Sequence, residues 1–393
     1  MLMTGPLHGY RIVDLTTNVS GPLATMILAD QGADVIKVEN PQGGDHTRAS
    51  ANRRGGFSAS FLNNNRNKRS IVLDLKTDAA RAALLKLAGT ADVFVQNFRP
   101  GVVERMGLGE EVIRAVAPRI IYVSISGFGE RGPYAEKPAY DPVVQAFSGL
   151  ATIQAGSDAE RPRLIRTILP DKLTAITASQ AITAALLARE RTGQGQHVRL
   201  SMLDAVLAFL WSSDMAAQTF VGEEAPQQEA ASVIDLIYAT ADKFISVAVQ
   251  TDRQWLGLTR ALERPEWRDD PRFVTSALRQ QNIDDRLQLT QEVLLTRPAA
   301  EWLERLTRED VPCVPVLTRN EVIHHPQVMG SELVVEAEHP AAGRLRQARA
   351  AARFSLTPAS IRCGAPALGE HTREVLQALG YAPQQIGALK EHG

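Results

Sequence analysis

The sequence predicts an α/β protein built on a doubly wound parallel sheet. Five short runs rich in β-branched residues occur in the first third of the chain, and several are almost continuously apolar. Amphipathic segments with helical periodicity lie between most of them. Strands that are buried on both faces and joined through helices are typical of such sheets. The predicted strands cover residues 11–15, 34–39, 70–75, 92–98 and 119–126.

The predicted helices follow in order. Three segments with helical periodicity begin at Pro22, Asp78 and Val102, the last reading VVERMGLGEEVIRAVA. A longer helix is predicted from Pro170 to Thr192, with Gly193 as its C-cap, because glycine readily adopts the left-handed conformation that ends a helix. The strand HVRLSM follows, and the segment LGEHTREVLQALG predicts one more amphipathic helix near the end.

A chain of 393 residues is too long for one ordinary core, so two domains are expected. The middle of the chain turns polar and rich in helix breakers, then resumes without the alternation of strand and helix. We therefore expect a smaller second domain there. The predicted boundaries are a large domain of residues 1–205 and 328–393, a small domain of residues 225–320, and linkers at 206–224 and 321–327.

Composition excludes several classes of function. The 43 Lys and Arg residues balance 44 Asp and Glu residues, so no overall field favours nucleic acid or an anionic membrane. No apolar run is long enough to span a bilayer, and the start of the sequence does not resemble a signal peptide. Two cysteines without a C-x-x-C pattern and eight histidines without metal-ligand spacing predict a cytoplasmic protein without a metal site.

The stretch SISGFGERGPY contains the pattern G-x-G-x-x-G at Gly127, Gly129 and Gly132. A dinucleotide fingerprint must follow the first strand of the unit and open a helix. Here the pattern follows the fifth predicted strand, and Pro133 interrupts any helix directly after it. We therefore expect a loop, whose glycines allow backbone N–H groups to approach a ligand.

Asp171, in the stretch LPDKLTA, has two interpretations. Aspartate is a preferred N-cap, and the residue precedes a long helical pattern. The same position suits a nucleophile, because the helix dipole keeps a carboxylate ionised and a carboxylate can attack an acyl group. Spacing does not decide between them.

Several basic residues fall near predicted strand ends. Individually they are ordinary surface cations, but parallel sheets bind ligands at the carboxyl ends of their strands, and several cations on one rim suit a ligand that carries several phosphates. They are Lys37, Arg66, Lys68, Arg69, Lys76, Arg99 and Arg105.

Taken together, several segments resemble the family III CoA-transferases, the CaiB/BaiF group, which also includes α-methylacyl-CoA racemases. The resemblance covers the chain almost end to end. It rests on VDLTTNVSGPLATMILADQGADVIKVENPQGGD, NKRSIVLDLKT, ADVFVQNFRPGVVERMG, SISGFGERGPY with YDPVVQAFSG, DKLTAITASQAITAALLARERTGQGQHV, DDPRF and LGEHTREVLQALGY.

The resemblance implies a Rossmann-like large domain, a smaller α+β domain and an interlinked, ring-like homodimer. It makes Asp171 the nucleophile, with coenzyme A as part of the substrate and no permanently bound cofactor. Positions that match the family's CoA contacts are Asn18, Val19, Leu73, Lys76, Asn97, Phe98, Arg105 and Lys137. Two departures stand out. Asn40 replaces a common arginine, which shifts the expected phosphate contacts toward Lys37, and Val19 replaces a common glutamine.

One position separates the two enzyme classes of this family. Racemases carry a histidine base where this chain has Tyr140, and the ordinary pKa of a tyrosine, about 10, does not suit a general base. We therefore expect a transferase that acts on acyl-CoA and a small carboxylic acid through an aspartyl-CoA thioester, with the loop of Gly127, Gly129 and Gly132 near the oxyanion. The alternatives are a racemase-like isomerase and a CoA-binding protein without catalysis.

Overall fold

The structure, a computed structural model, describes residues 5–222 and 236–391. The described residues form two compact units. The larger unit comprises residues 5–155, Arg161–Val221 and 332–391, and the smaller unit comprises Gly156–Glu160 and the described part of Gly222–Ser331. No helix in the described ranges is long and apolar enough to cross a membrane.

In chain order the strands are β1 (Arg11–Asp14), β2 (Asp34–Glu39), β3 (Arg53–Arg54), β4 (Phe57–Ser58), β5 (Lys68–Val72), β6 (Val93–Gln96), β7 (Ile121–Ser126), β8 (His197–Ser201), β9 (Ile237–Ala239), β10 (Phe244–Val247), β11 (Cys313–Pro315), β12 (Val334–His339) and β13 (Gly343–Ala348). The α-helices are α1 (Ser20–Asp30), α2 (Ala59–Asn65), α3 (Asp78–Ala88), α4 (Val102–Arg105), α5 (Glu110–Val116), α6 (Asp141–Phe147), α7 (Leu150–Ile153), α8 (Leu169–Thr192), α9 (Met202–Leu210), α10 (Asp252–Ala261), α11 (Ser276–Gln281), α12 (Ile283–Leu294), α13 (Ala299–Arg308), α14 (Arg319–Val322), α15 (Pro326–Gly330), α16 (Thr372–Ala378) and α17 (Pro383–Glu391).

The larger unit contains a six-stranded sheet in the order β5-β2-β1-β6-β7-β8, and each neighbouring pair is parallel. The predicted α/β class with a central parallel sheet is therefore confirmed. The side chains of neighbouring residues along a strand point to opposite faces of the sheet, so each strand contributes to two hydrophobic cores. Val13, Ile36 and Phe94 pack with residues of α3 on one face. Ile12, Val35 and Val93 pack with residues of α1 and α8 on the other.

Local signals explain some element boundaries. Thr77 caps α3, since its side chain accepts a hydrogen bond from the Ala80 backbone N–H. Gly193, with a φ of 74°, ends α8 in the left-handed conformation, as predicted.

Several elements differ from their predicted bounds by about two residues, and two of the differences have a clear local reason. The helical segment predicted from Val102 is divided into α4 and α5, and Gly107 has a φ of 70° at the break. The third predicted strand begins two residues earlier than expected, because Lys68 and Arg69 pair with Val35 and Ile36 of β2. Leu73 and Leu75, predicted in this strand, lie in the loop that follows β5, where Leu73 is buried and Leu75 is half-buried.

The smaller unit combines a three-stranded antiparallel sheet, in the order β11-β10-β9, with α10 to α15. Its core includes Trp255, Phe273, Trp302 and Leu306.

The predicted domain limits stay a prediction. Residues 206–221, predicted as a linker, belong to the larger unit, where α9 ends at Leu210. Residues 321–327, the second predicted linker, belong to the smaller unit. The predicted start of the small domain, at residue 225, lies outside the described residues.

Candidate active site

A cavity of about 120 Å³ lies in the larger unit where β1, β6 and β7 reach their carboxyl ends. Parallel sheets bind ligands in this position. Of the residues predicted for the site, the cavity is lined by Asn18, Asn97, Phe98, Gly127, Lys137, Tyr140 and Asp171. Ser20, Arg99 and Ser126 contribute to the same wall. Segments far apart in the sequence therefore meet at one side chain, Asp171.

Asp171 belongs to the first turn of α8 and does not cap it. The cap position is Ile168, and no side chain accepts a capping hydrogen bond there. The N-cap interpretation of Asp171 is therefore wrong. The physical reason is that Pro170 occupies the first turn. Proline has no backbone N–H and so needs no hydrogen-bond acceptor there, which lets the helix begin before Asp171. The carboxylate is left available for other partners.

Asp171 has two polar neighbours that the sequence analysis missed. Its backbone N–H donates to Asp141 Oδ2 at 3.2 Å, and the hydroxyl and backbone N–H of Ser20 face its carboxylate and lower its pKa by hydrogen bonding. Ser20 is the first residue of α1, so the carboxylate of Asp171 meets the positive end of that helix. Ser20 and Asp141 lie far from Asp171 in the sequence.

The charge on Asp171 is tuned by these surroundings. Burial raises the pKa of Asp171, the Asp141 carboxylate raises it further, and the hydrogen bonds from Ser20 lower it, so that the pKa is about 6 against an ordinary 3.8. At neutral pH a carboxylate with this pKa is still about nine-tenths ionised. It is also more basic than an ordinary aspartate, which suits a nucleophile.

Asp141 is held in place by Gln145. Asp141 is 3% exposed, and its Oδ1 accepts a hydrogen bond from Gln145 Nε2 at 2.6 Å. Gln145 Nε2 also donates to the Thr167 carbonyl at 3.2 Å, and Gln145 Oε1 accepts from the Ile165 N–H at 2.9 Å. Gln145 thus braces the chain that leads into α8, and with it the position of Asp171.

Asn18 and Asn97 line the cavity, and both already form hydrogen bonds within the protein, Asn97 through its side chain and Asn18 through its backbone N–H. The Asn97 side chain bonds both the N–H and the carbonyl of Thr17, at 3.0 and 2.9 Å. Asn18 has a φ of 69°, and its N–H donates to Asp45 Oδ1 at 3.2 Å. These bonds fix the β1–α1 loop that presents Ser20 to Asp171. Val19, beside them, is the N-cap of α1 without a side-chain cap, and it does not line the cavity.

The glycine loop contributes less than expected. Gly127 lines the cavity, and a Cβ built on it would lie 2.1 Å from Ala139 Cβ. Gly129 and Gly132 do not line it, and the Gly129 N–H donates to Ser126 Oγ at 3.1 Å. The residues after Gly132 form turns until α6 begins at Asp141, so the expectation of a loop is confirmed. Ser20, not Gly129, supplies N–H and O–H donors at Asp171.

Lys37 is not available to a ligand. Its side chain is fully buried, pairs with Asp45 Oδ2 at 2.9 Å and donates to the Thr16 carbonyl at 2.7 Å. Burial opposes the charge on Lys37, but Asp14, Asp45 and Glu39 raise its pKa overall. The expected phosphate contact by Lys37 is therefore wrong, because a charge in the interior must be paired internally.

Leu73 and part of the predicted basic rim are also turned away from the site. The Leu73 side chain is buried in the core. Lys68 is buried and bonds Asp14, while Arg66 and Arg69 pair with Asp30 and Asp34. These three cations lie at the amino end of β5, since the strand starts at Lys68. The expectation that they join a ligand-binding rim is wrong.

The remaining cations do lie on the carboxyl side of the sheet. Lys76 follows β5, Arg99 and Arg105 follow β6, and Lys137 follows β7; all four are exposed. Arg99 and Lys137 line the cavity, whereas Lys76 and Arg105 do not. Lys137 Nζ lies 3.5 Å from the centre of the Tyr134 ring. Tyr140, at 68% exposure, stands at the cavity mouth.

No group of three or more potential metal-ligating side chains occurs within the described ranges. The geometry of the site is that of a half-buried carboxylate with two hydrogen-bond donors, and it suits covalent acyl chemistry by the side chain itself.

Comparisons with known proteins identify the family of this chain. The family model for CoA-transferase family III matches residues 7–372. The chain is 35% identical over 396 residues to succinyl-CoA:glutarate CoA-transferase of Homo sapiens, across 99% of this chain and 89% of that protein. It is 35% identical over 416 residues to formyl-CoA:oxalate CoA-transferase of Escherichia coli, across 99% of both chains.

Solved structures give the same result. A CAIB/BAIF family protein from Brucella suis superposes with a TM-score of 0.82 at 30% sequence identity, across 96% of this chain and 100% of that one. The extent of these matches, together with the carboxylate site at the end of the sheet, shows that the chain is an enzyme of CoA-transferase family III.

Proposed function

We propose that this enzyme moves CoA from an acyl-CoA thioester to a free carboxylic acid through a covalent aspartyl-CoA thioester on Asp171. The observation that carries the proposal is the Asp171 carboxylate, held at the start of α1 by Ser20, beside Asp141, with a pKa of about 6. The relatives named above act on CoA thioesters and small carboxylates, and we extend these substrate classes to this chain.

The first half of the reaction loads CoA onto the enzyme. A carboxylate oxygen of Asp171 attacks the thioester carbonyl, the C–S bond breaks, and CoA leaves as a thiolate. The thiolate then attacks the aspartyl carbonyl of the mixed anhydride and releases the donor acid. Splitting one difficult exchange into such steps is the general advantage of covalent catalysis.

The second half runs these steps in reverse with a new acid. An acceptor carboxylate attacks the aspartyl-CoA carbonyl, and the thiolate leaves and then attacks the acceptor's acyl carbon. The Asp171 carboxylate is regenerated, and no net proton transfer is needed. In both halves negative charge develops on the Asp171 carbonyl oxygen, where the Ser20 N–H and hydroxyl would stabilise it.

Binding of the nucleotide end of CoA is proposed for the exposed cations on the carboxyl side of the sheet. Lys76, Arg99, Arg105 and Lys137 are exposed and follow strands β5, β6 and β7. Exposed lysine and arginine side chains suit phosphate groups, whereas the side chain of Lys37 is fully buried and paired with Asp45.

An exchange assay tests the proposed activity. A panel of acyl-CoA thioesters is incubated with mono- and dicarboxylates, and new acyl-CoA products are measured. We expect exchange products, and we expect Asp171→Asn to lower the rate at least about a thousand-fold, as removal of a nucleophile does. The matched control is Asp158→Asn at an exposed position of the smaller unit.

Two other outcomes of the same assay would contradict the proposal. Deuterium that enters the α-carbon of a 2-methylacyl-CoA without any acceptor acid would indicate an isomerase. Tight CoA binding without exchange for any substrate pair would indicate a binding protein.

We also propose that the protein is a homodimer, as expected from the family. Large apolar side chains on α6, α8 and α9 are about half exposed, which suits burial against a second copy of the chain. They are Phe147 (50%), Ile176 (58%), Leu187 (54%) and Phe209 (50%). Light scattering after size-exclusion chromatography is expected to give twice the mass of 42.8 kDa, and a monomer would refute this. The cytoplasmic location stays a prediction from the sequence.

A further inference from the structure

A second cavity, of about 540 Å³, lies beside the carboxyl ends of β6 and β7 and the first residues of β8. It shares Phe98, Pro100, Ile125 and Ser126 with the Asp171 cavity. Its wall includes Ser124, His197 and Glu110, three residues that the proposed transfer mechanism does not use. They come from β7, from the start of β8 and from the first turn of α5.

These three side chains form a continuous hydrogen-bonded series. Ser124 Oγ lies 2.8 Å from His197 Nε2, and His197 Nδ1 lies 2.6 Å from Glu110 Oε2. The Tyr122 ring packs edge-on against the imidazole, with the ring centres 4.9 Å apart. A hydroxyl, an imidazole and a carboxylate in this order are the arrangement with which proteins activate a serine.

The direction of the hydrogen bonds follows from Gln96. Gln96 Oε1 accepts from the Phe98 backbone N–H at 2.8 Å, which turns the amide nitrogen toward Ser124 Oγ at 3.0 Å. Ser124 Oγ therefore accepts from Gln96, and its own hydrogen is free to be donated to His197 Nε2. An imidazole that accepts at Nε2 carries its proton on Nδ1 and donates it to Glu110.

Glu110 is held as a carboxylate by several donors. Burial raises the pKa of Glu110, but the hydrogen bond with His197, the bond from Arg114 and the charge of Arg199 lower it overall. Arg199 Nη2 lies 3.2 Å from Glu110 Oε2, and Arg199 also lines the cavity. An ionised Glu110 stabilises the imidazolium that would form when His197 takes a proton from Ser124.

We propose that Ser124, His197 and Glu110 form a second nucleophilic centre, which hydrolyses small acyl esters and thioesters with water and does not require Asp171. Ser124 Oγ attacks the acyl carbon while its proton passes to His197 Nε2. The bond to the leaving alcohol or thiol breaks, and the leaving group takes that proton.

Water completes the reaction. It attacks the acyl-serine and gives a proton to His197, which returns it to Ser124 Oγ as the carboxylic acid leaves. Gln96 Nε2 donates one N–H to Ser124 Oγ, and in this proposal its second N–H donates to the oxyanion.

The first test is covalent labelling of the unmodified protein with a fluorophosphonate probe, followed by peptide mass spectrometry. We expect a phosphonate adduct on Ser124, at least about a hundred-fold slower to form in His197→Asn, because a serine without its base is a weak nucleophile. The absence of an adduct on Ser124 at saturating probe, or labelling that does not depend on His197, would overturn the proposal.

The second test is hydrolysis of p-nitrophenyl acetate and acetyl-CoA without an acceptor acid. We expect Ser124→Ala to lose this hydrolysis and the matched control Ser213→Ala, at an exposed serine, to retain it. Hydrolysis that persists unchanged in Ser124→Ala would assign it elsewhere and overturn the proposal. Failure of this proposal leaves CoA exchange intact, and failure of exchange leaves the labelling of Ser124 unaffected, so the two are distinguishable.

Discussion

Replacing Asp171 by asparagine is expected to stabilise the protein while it removes the proposed nucleophile. The folded protein holds the Asp171 pKa at about 6, whereas the ordinary value is 3.8. The folded state therefore binds this proton more tightly than the unfolded state does, and ionised Asp171 destabilises the fold. Functional sites often carry such a cost.

The magnitude follows from that difference. Each pKa unit corresponds to about 1.4 kcal/mol, so the values of 6 and 3.8 give at most about 3 kcal/mol. In the wild type, Asp171 lowers the free energy of unfolding most above pH 6, and this loss disappears as the pH falls from about 6 to about 4. Asparagine carries no charge and retains an acceptor oxygen for Ser20, so the Asp171→Asn variant lacks this pH dependence.

Urea unfolding at several pH values measures the effect. At pH 8 we expect Asp171→Asn to exceed the wild type by about 1–3 kcal/mol in free energy of unfolding, and at pH 4 we expect the two to be nearly equal. Asp158→Asn, at an exposed aspartate, controls for general charge effects. A variant that is less stable than the wild type at pH 8, or a difference that does not change with pH, would refute the reasoning.

Three further predictions concern this site and the exposed cations on the carboxyl side of the sheet. The kcat/KM for acyl-CoA is expected to fall about ten-fold per pH unit below pH 6, where Asp171 becomes protonated. Asp141→Asn removes a charge that raises the pKa of Asp171, so the midpoint of the pH profile should move to lower pH. An unmoved midpoint would contradict the role of Asp141. Gly127→Ala places a Cβ 2.1 Å from Ala139 Cβ and is expected to lower the free energy of unfolding in urea by about 1–3 kcal/mol. The double variant with Ala139→Gly should recover most of that stability. An unchanged free energy of unfolding in the single variant would argue against the close approach. Arg105→Ala and Lys76→Ala are each expected to raise the KM for acyl-CoA about three- to ten-fold with little change in kcat, and the effect should shrink at high salt. The control is Arg253→Ala, at an exposed arginine of the smaller unit. An unchanged KM in the Arg105 and Lys76 variants would contradict phosphate binding by these cations.

Local patterns in the sequence were sufficient to predict the sheet. Apolar runs with β-branched residues mark strands whatever surrounds them, and Gly193 marks a helix end because few other residues adopt its conformation. The break between α4 and α5 was harder to predict, since the segment keeps helical periodicity on both sides of Gly107.

Burial of charge was the main source of error at the site. Lys37 and Lys68 read as surface cations because lysine is mostly exposed. The structure places both in the interior, where Asp45 and Asp14 pair with them. Such pairs join segments far apart in the sequence, so no local pattern reveals them.

The partners of Asp171 were missed for the same reason. Ser20 and Asp141 meet it only when α1, α6 and α8 assemble at the end of the sheet. The nearest local signals are a serine that opens the helix directly after the first strand and an aspartate just before Pro142. Each is an ordinary helix-start signal, and neither indicates its neighbour.

The most direct test of the central claim is mass spectrometry of the enzyme after incubation with an acyl-CoA and no acceptor acid. We predict a CoA adduct on the peptide that contains Asp171, removed by hydroxylamine and by an acceptor carboxylate, and absent from Asp171→Asn. An active enzyme that never shows this adduct, or an Asp171→Ala variant that still transfers CoA, would contradict the account.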